Sequence, residues 1–206
     1  MALDIYTEPE EIDLDTLRHL GPLAPLAGTW EGARGLDTHP VAQGAEDEPY
    51  RERLVFEPID PQANGPQLLY GLRYHQHVNK LDEPLTFHDQ VGYWLWEPAT
   101  GALLQTLAIP RGQVALAAGT AGPGDRRFTV RATLGSPTAG IASAPFLHEH
   151  FRTLEYTIAL TVNEDGTLSY EQDTVLQITG RPEPFHHVDR SVLRRVAGPA
   201  RNPAAR

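Results

Sequence analysis

From Gly28 onward the chain runs in short alternating or apolar stretches broken by Gly, Pro, Asn and Asp, the pattern of antiparallel strands joined by turns. The stretches that qualify are 29–34, 50–57, 67–78, 85–97, 102–109, 113–120, 127–134, 152–162, 168–179 and 188–196. In 152–162, Leu154, Tyr156, Ile158, Leu160 and Val162 share one face, opposite Thr153, Glu155, Thr157, Ala159 and Thr161. Such a strand has one dry side and one wet side. Two hairpins are legible: Glu97 to Gly101, and Asn163 to Thr167, where Asp165-Gly166 supplies the positive φ a tight turn needs. About ten strands at this spacing predict a meander that closes on itself or a sandwich.

Helical signals are few. Asp15 can cap a short helix from Thr16 to Leu20, which Gly21-Pro22 and Pro25 keep short. A further turn is compatible with 144–151. The segments 36–49 and 135–151 are rich in Gly, Ala, Pro and acid and read as loops or partial lids at barrel ends. The expected organisation is an N-terminal arm and short helix over 1–27, a barrel over 28–197, and a disordered tail over 198–206.

Composition narrows the function classes. A chain of 206 residues with 40% hydrophobic and 21% charged residues suits one folded domain. A formal net charge of −10, with no dense Lys/Arg run, argues against a nucleic-acid surface. The absence of cysteine removes disulfides, thiolate metal sites and thiol nucleophiles. Met1 to Tyr6 carries neither a basic start nor an apolar core of a secretory signal, and no run approaches the roughly 20 apolar residues that span a bilayer, so a cytoplasmic protein without membrane insertion is expected. No G-x-S-x-G elbow marks a hydrolase.

Histidine is then where metal or proton chemistry would concentrate, and there are 9. His75 and His77 share a strand face, as in a cupin metal site, but no second histidine motif completes the set. His148 and His150 flank Glu149 in an irregular segment and read as solvated. The most suggestive cluster is Phe185-His186-His187-Val188-Asp189, between a Pro-rich bend and the last strand. Adjacent residues on extended backbone point oppositely, so only one of the two histidines can enter a cavity.

Several motifs lie in order along nearly the whole chain: Gly28-Thr29-Trp30-Glu31-Gly32, Phe87-His88-Asp89-Gln90-Val91-Gly92-Tyr93, Gly112 through Gly119, Leu168-Ser169-Tyr170 and His186-His187-Val188. Together they resemble the nitrobindins, haem-binding β-barrels related in shape to fatty-acid-binding proteins and lipocalins. The resemblance implies an all-β fold: a single antiparallel up-and-down β-barrel of about ten strands, with a short N-terminal helix and Trp30 plugging its closed end. It implies haem b as cofactor, with His187 as the metal ligand and His88 and Phe87 lining the cavity. Ile109, Arg111 and His186 complete the candidate cofactor-binding set. The family is credited with binding nitric oxide and isomerising peroxynitrite, so a small-molecule ligand is expected, with a homodimer left open. The chain departs from the family pattern at His39, where tyrosine is usual, and at Ile109-Pro110-Arg111-Gly112. Two alternatives stand beside this reading: a haem-free lipocalin-like carrier whose ligand head meets Arg111, Tyr74 or Tyr93, and a non-haem metal enzyme using His75 and His77.

Overall fold

The computed structural model describes residues 4–202 and 205. Two small helical pieces, α1 (Thr16–His19) and the 3₁₀ turn Gly21–Leu26, lead into β1 (Gly28–Pro40), β2 (Ala45–Pro58), β3 (Gln62–Asn64), β4 (Gln67–Lys80), β5 (Thr86–Trp96), β6 (Ala102–Ile109) and β7 (Gln113–Thr120). β8 (Arg127–Thr133), β9 (Ile141–Ser143), α2 (Pro145–His150), β10 (Phe151–Val162), β11 (Leu168–Ile178) and β12 (Phe185–Ala197) follow. Ten strands close an antiparallel barrel in which sequence neighbours pair, β1 closes on β12, and β2 pairs with β4 across the short β3 excursion. Closure pairs the edges that an open sheet would leave free. Among the described residues no helix is long and apolar enough to cross a membrane.

One end of the barrel is filled. Leu20, Leu23 and Leu26 of the leading turns are fully buried and pack with Trp30, Phe56, Trp94 and Trp96. Trp30 Nε1 donates to the Leu26 carbonyl at 2.7 Å, and the Arg195 guanidinium lies over its ring. Gly21 has φ +51°, and its Cα sits so close to the Trp96 ring that a Cβ there would come within 2.5 Å of it, so both backbone and space require glycine. Asp15 precedes α1, but its side chain makes no capping hydrogen bond; it pairs with Arg18 instead. The two hairpin turns form as expected, with Gly101 at φ +71° and Gly166 at φ +80°.

Three departures from the sequence reading matter for the site. The segment 36–49 is no loop: it forms the ends of β1 and β2, paired from Leu36↔Pro49 to Pro40↔Ala45. The final strand begins at Phe185, so His186 and His187 lie on β12 itself, opposite Val175 and Thr174. In β10 a register shift between Thr153 and Glu155 breaks the alternation, burying Thr153 while Leu154 is only half-buried. The chain beyond β12 has no regular element through 202; there Asn202 is buried and donates to the Leu14 carbonyl. The disorder expected for 198–206 lies in part, at 203, 204 and 206, outside the described residues, as do the first three residues of the stretch read for a signal.

Removing the plug should therefore cost the fold heavily. Trp30→Ala is expected to lower the unfolding free energy by about 3–5 kcal/mol, as large buried aromatic truncations do, measured by urea denaturation against wild type.

Candidate functional site

The other end of the barrel is left open as a cavity of about 410 Å³, within the range of small-molecule sites. Its apolar walls come from Val78, Phe87, Ile109, Phe146, Leu147, Phe151 and Leu176, the two α2 residues Phe146 and Leu147 lying at the mouth. Its polar groups are Asp37 and His39 from β1, His88 from β5, Arg111 from the β6–β7 turn, and His187 and Asp189 from β12, with Tyr50, Gln76 and Tyr170 deeper.

Strand irregularities decide which side chains enter. On β1, Gly32 pairs with Glu52 but Gly35 with Tyr50, so three steps on β1 match two on β2. This extra residue is a β-bulge, and it reverses which side chains face inward. Beyond it Asp37 and His39 turn to the cavity, where simple alternation from Trp30 would have placed Leu36 and Thr38. On β5, Val78 pairs with His88 and Asn79 with Thr86, leaving Phe87 as the extra residue. Both Phe87 and His88 consequently line the cavity, and Phe87 also meets His39 edge-on at 6.2 Å and Lys80 at 5.5 Å.

His187 reaches into the cavity, and its Nε2 lies 2.5 Å from Asp37 Oδ1. Asp37 is almost wholly buried, and its Oδ2 is 2.9 Å from His39 Nδ1, which lacks the alignment of a hydrogen bond. Asp189 stands 4.0 Å from His187 Nε2 and lies against Asp37. Burial works against charge on His187, but the Asp37 hydrogen bond and the Asp189 carboxylate outweigh it and raise its pKa. For Asp189, burial and the neighbouring Asp37 charge prevail over His187, and its carboxyl is pushed up to about 8. Asp37 keeps its charge: burial opposes it, but the bond to His187 holds its pKa below the usual value. Burial lowers the pKa of His88, favouring the neutral ring.

A second polar layer lies under the cavity. Glu52 is buried and accepts hydrogen bonds from Gln76 Nε2 at 2.9 Å and Tyr170 OH at 3.0 Å, while the Tyr50 hydroxyl sits 2.7 Å from that of Tyr170. Desolvation pushes the Glu52 carboxyl up to about 7. Below it Tyr74 accepts from Gln90 and Gln105, and Tyr156 donates to Gln105.

Of the residues singled out from sequence, His187, His88, Phe87, Ile109 and Arg111 meet around one cavity. His186 does not: it faces outward, 62% exposed, against Asp173 at 2.7 Å. His75 and His77 stack on the barrel's outer face and bond Asp89 and Thr86, which corrects the cupin-like reading, since an inward ligand pair is not formed. Tyr93 is on the outside, and Tyr74 belongs to the buried network rather than the cavity wall. Asp37, His39 and Asp189 were missed as site residues. The D-x-H spacing on β1 was visible in the sequence, but the side Asp37 and His39 face depends on the β1 bulge; Asp189 lies two residues past His187 on β12 and shares its face by plain alternation.

The profile of a family described as "THAP4-like, heme-binding beta-barrel domain" matches residues 19–195. The chain belongs to this family. The nitrobindin resemblance and the barrel are thereby established together. Among solved structures, Rv2717c from M. tuberculosis is similar, with a TM-score of 0.61 and 23% identity, over 87% of this chain and 96% of that one. At that identity the likeness speaks for the fold.

The Glu52 carboxyl generates a pH prediction. In the window from 4.5 to about 7 the folded protein retains a proton that the unfolded chain has released. Stability must then fall as pH rises through this window, by about 3 kcal/mol for this group alone. Glu52→Gln should flatten that fall and be more stable than wild type at alkaline pH, while Asp189 and His187 add to the remaining fall and His88, with its lowered pKa, opposes it. Thermal melts of both proteins across the window check this; parallel curves would refute it.

Proposed function

We propose that the cavity binds haem, with His187 as the imidazole that holds the iron, and that nitric oxide or peroxynitrite meets the bound group there. Membership of a haem-binding barrel family supports the cofactor class. The observation that carries the assignment to this chain is the His187 ring, set into the wall of an open cavity with apolar faces. The residues fit the group in kind. A metal-binding histidine commonly gives one ring nitrogen to the metal and the other to a carboxylate, and the His187–Asp37 pair supplies such a carboxylate. Phe87, Ile109, Phe151 and Leu176 offer the surfaces a macrocycle buries, and Arg111 at the rim offers a cation for a propionate.

Haem b is the form consistent with a chain that has no cysteine for thioether attachment. When bound, haem supplies a redox-active iron whose reactivity depends on its axial ligand and pocket polarity. The chain's own residues would hold and shield it: Asp37 orients His187, the aromatic and aliphatic walls exclude water, and His88, kept neutral by burial, presents an imidazole to the same space. Peroxynitrite isomerisation is the activity this reading would carry, in a cytoplasmic protein.

Haem titration tests it. Wild-type protein should develop a Soret band that saturates near one equivalent and shifts on addition of nitric oxide. His187→Ala should lose it, and His186→Ala should keep it. No saturable Soret band, or one indifferent to His187→Ala, would overturn the proposal.

A further inference from the structure

Asp37-Thr38-His39 on β1 and His187-Val188-Asp189 on β12 run antiparallel beside each other, with Asp37 directly opposite Asp189 and Thr38 opposite Val188. Asp37 and His187 are therefore diagonal neighbours. Two carboxylates directly opposite in a ladder repel one another, and burying them is costly unless a cation or hydrogen bonds compensate. The haem reading uses only part of this cluster: it needs one imidazole and one supporting carboxylate, and gives Asp189 no task.

One ligand atom each from Asp37, His187 and Asp189 can be chosen so that all lie within 4.8 Å of one another. An ion bonded at roughly 2.0–2.2 Å to each donor sets the donors about 3–4 Å apart, so on binding the more distant donors draw in and the His187–Asp37 hydrogen bond opens. The donors are two carboxylate oxygens and one imidazole nitrogen. Calcium and magnesium favour all-oxygen sets, whereas a mixed nitrogen and oxygen set suits zinc, iron, cobalt or manganese. His39 stands 2.9 Å from the second oxygen of Asp37 without a hydrogen bond to it. Three protein ligands would leave positions open toward the cavity.

The geometry points to a binding site for a divalent first-row transition-metal ion formed by Asp37, His187 and Asp189 in the cavity wall. The site is independent of haem and competes with it, because both occupants take His187. A protein loaded with the ion would present a metal with open positions to a small molecule in the cavity that Phe87 and Phe151 line.

The test uses haem-free, chelator-stripped full-length protein titrated with Co²⁺, followed by visible absorption and calorimetry. One equivalent should bind, with d–d bands of a nitrogen and oxygen site. Asp37→Asn and Asp189→Asn should each weaken binding by at least about tenfold, while circular dichroism and the thermal melt report a folded barrel. A double His75→Ala, His77→Ala variant, which removes the exterior histidine pair, should bind as wild type. Saturating Co²⁺ should also slow haem uptake by wild type. The proposal is overturned if no stoichiometric cobalt binds, if binding survives both aspartate variants, or if it is lost with the exterior pair. A His187-dependent Soret band without cobalt binding removes this site and leaves the haem proposal; cobalt binding without a Soret band does the reverse.

Discussion

The width of the barrel governs everything else in this protein. A closed sheet of about eight strands can be filled by its own side chains, and added strands widen the interior. With ten strands, the space must be filled from elsewhere or left open. The chain does one at each end. The Leu20, Leu23 and Leu26 turns and Trp30 occupy the first, while the second remains a cavity with α2 at its mouth.

Between plug and cavity lies a polar layer that needs this division. Glu52, Gln76 and Tyr170 bond one another, as do Tyr74, Gln90 and Gln105, inside the sheet where hydrogen bonds are strong, and only the Gln90 Oε1 among their side-chain atoms is buried without a partner. Their side chains come from strands far apart in sequence, so the network holds the barrel's cross-section as well as the cavity's base. The raised pKa of Glu52 reflects a carboxyl held there at the expense of its charge.

The upper wall uses charge differently. Asp37 keeps its charge through His187, while Asp189 is pushed toward its neutral form by burial and by Asp37. Two such carboxyls and two imidazoles thus meet on neighbouring strands in this part of the wall, the feature on which both the haem and the metal-ion proposals rest. The walls around it are mostly apolar, so the same cavity can take a flat hydrophobic ligand against Phe87, Ile109 and Leu176.

The sequence by itself determined the barrel: alternation such as that from Tyr156 to Val162, glycine turns at 101 and 166, and an ordered series of family motifs are local signals, and strand pairing between neighbours follows from them. It also singled out His187, His88, Phe87, Ile109 and Arg111, which share the cavity, alongside His186, which does not. Only the tertiary structure decided which faces turn inward at the open end. Inserted residues on β1 and β5 reverse the alternation there, and a bulge is defined by what the partner strand does, not by the residues that carry it. Asp37 therefore turns to the cavity only through the β1 bulge, and its contact with His187 joins two segments about 150 residues apart, whereas Asp189 follows His187 by plain alternation along β12.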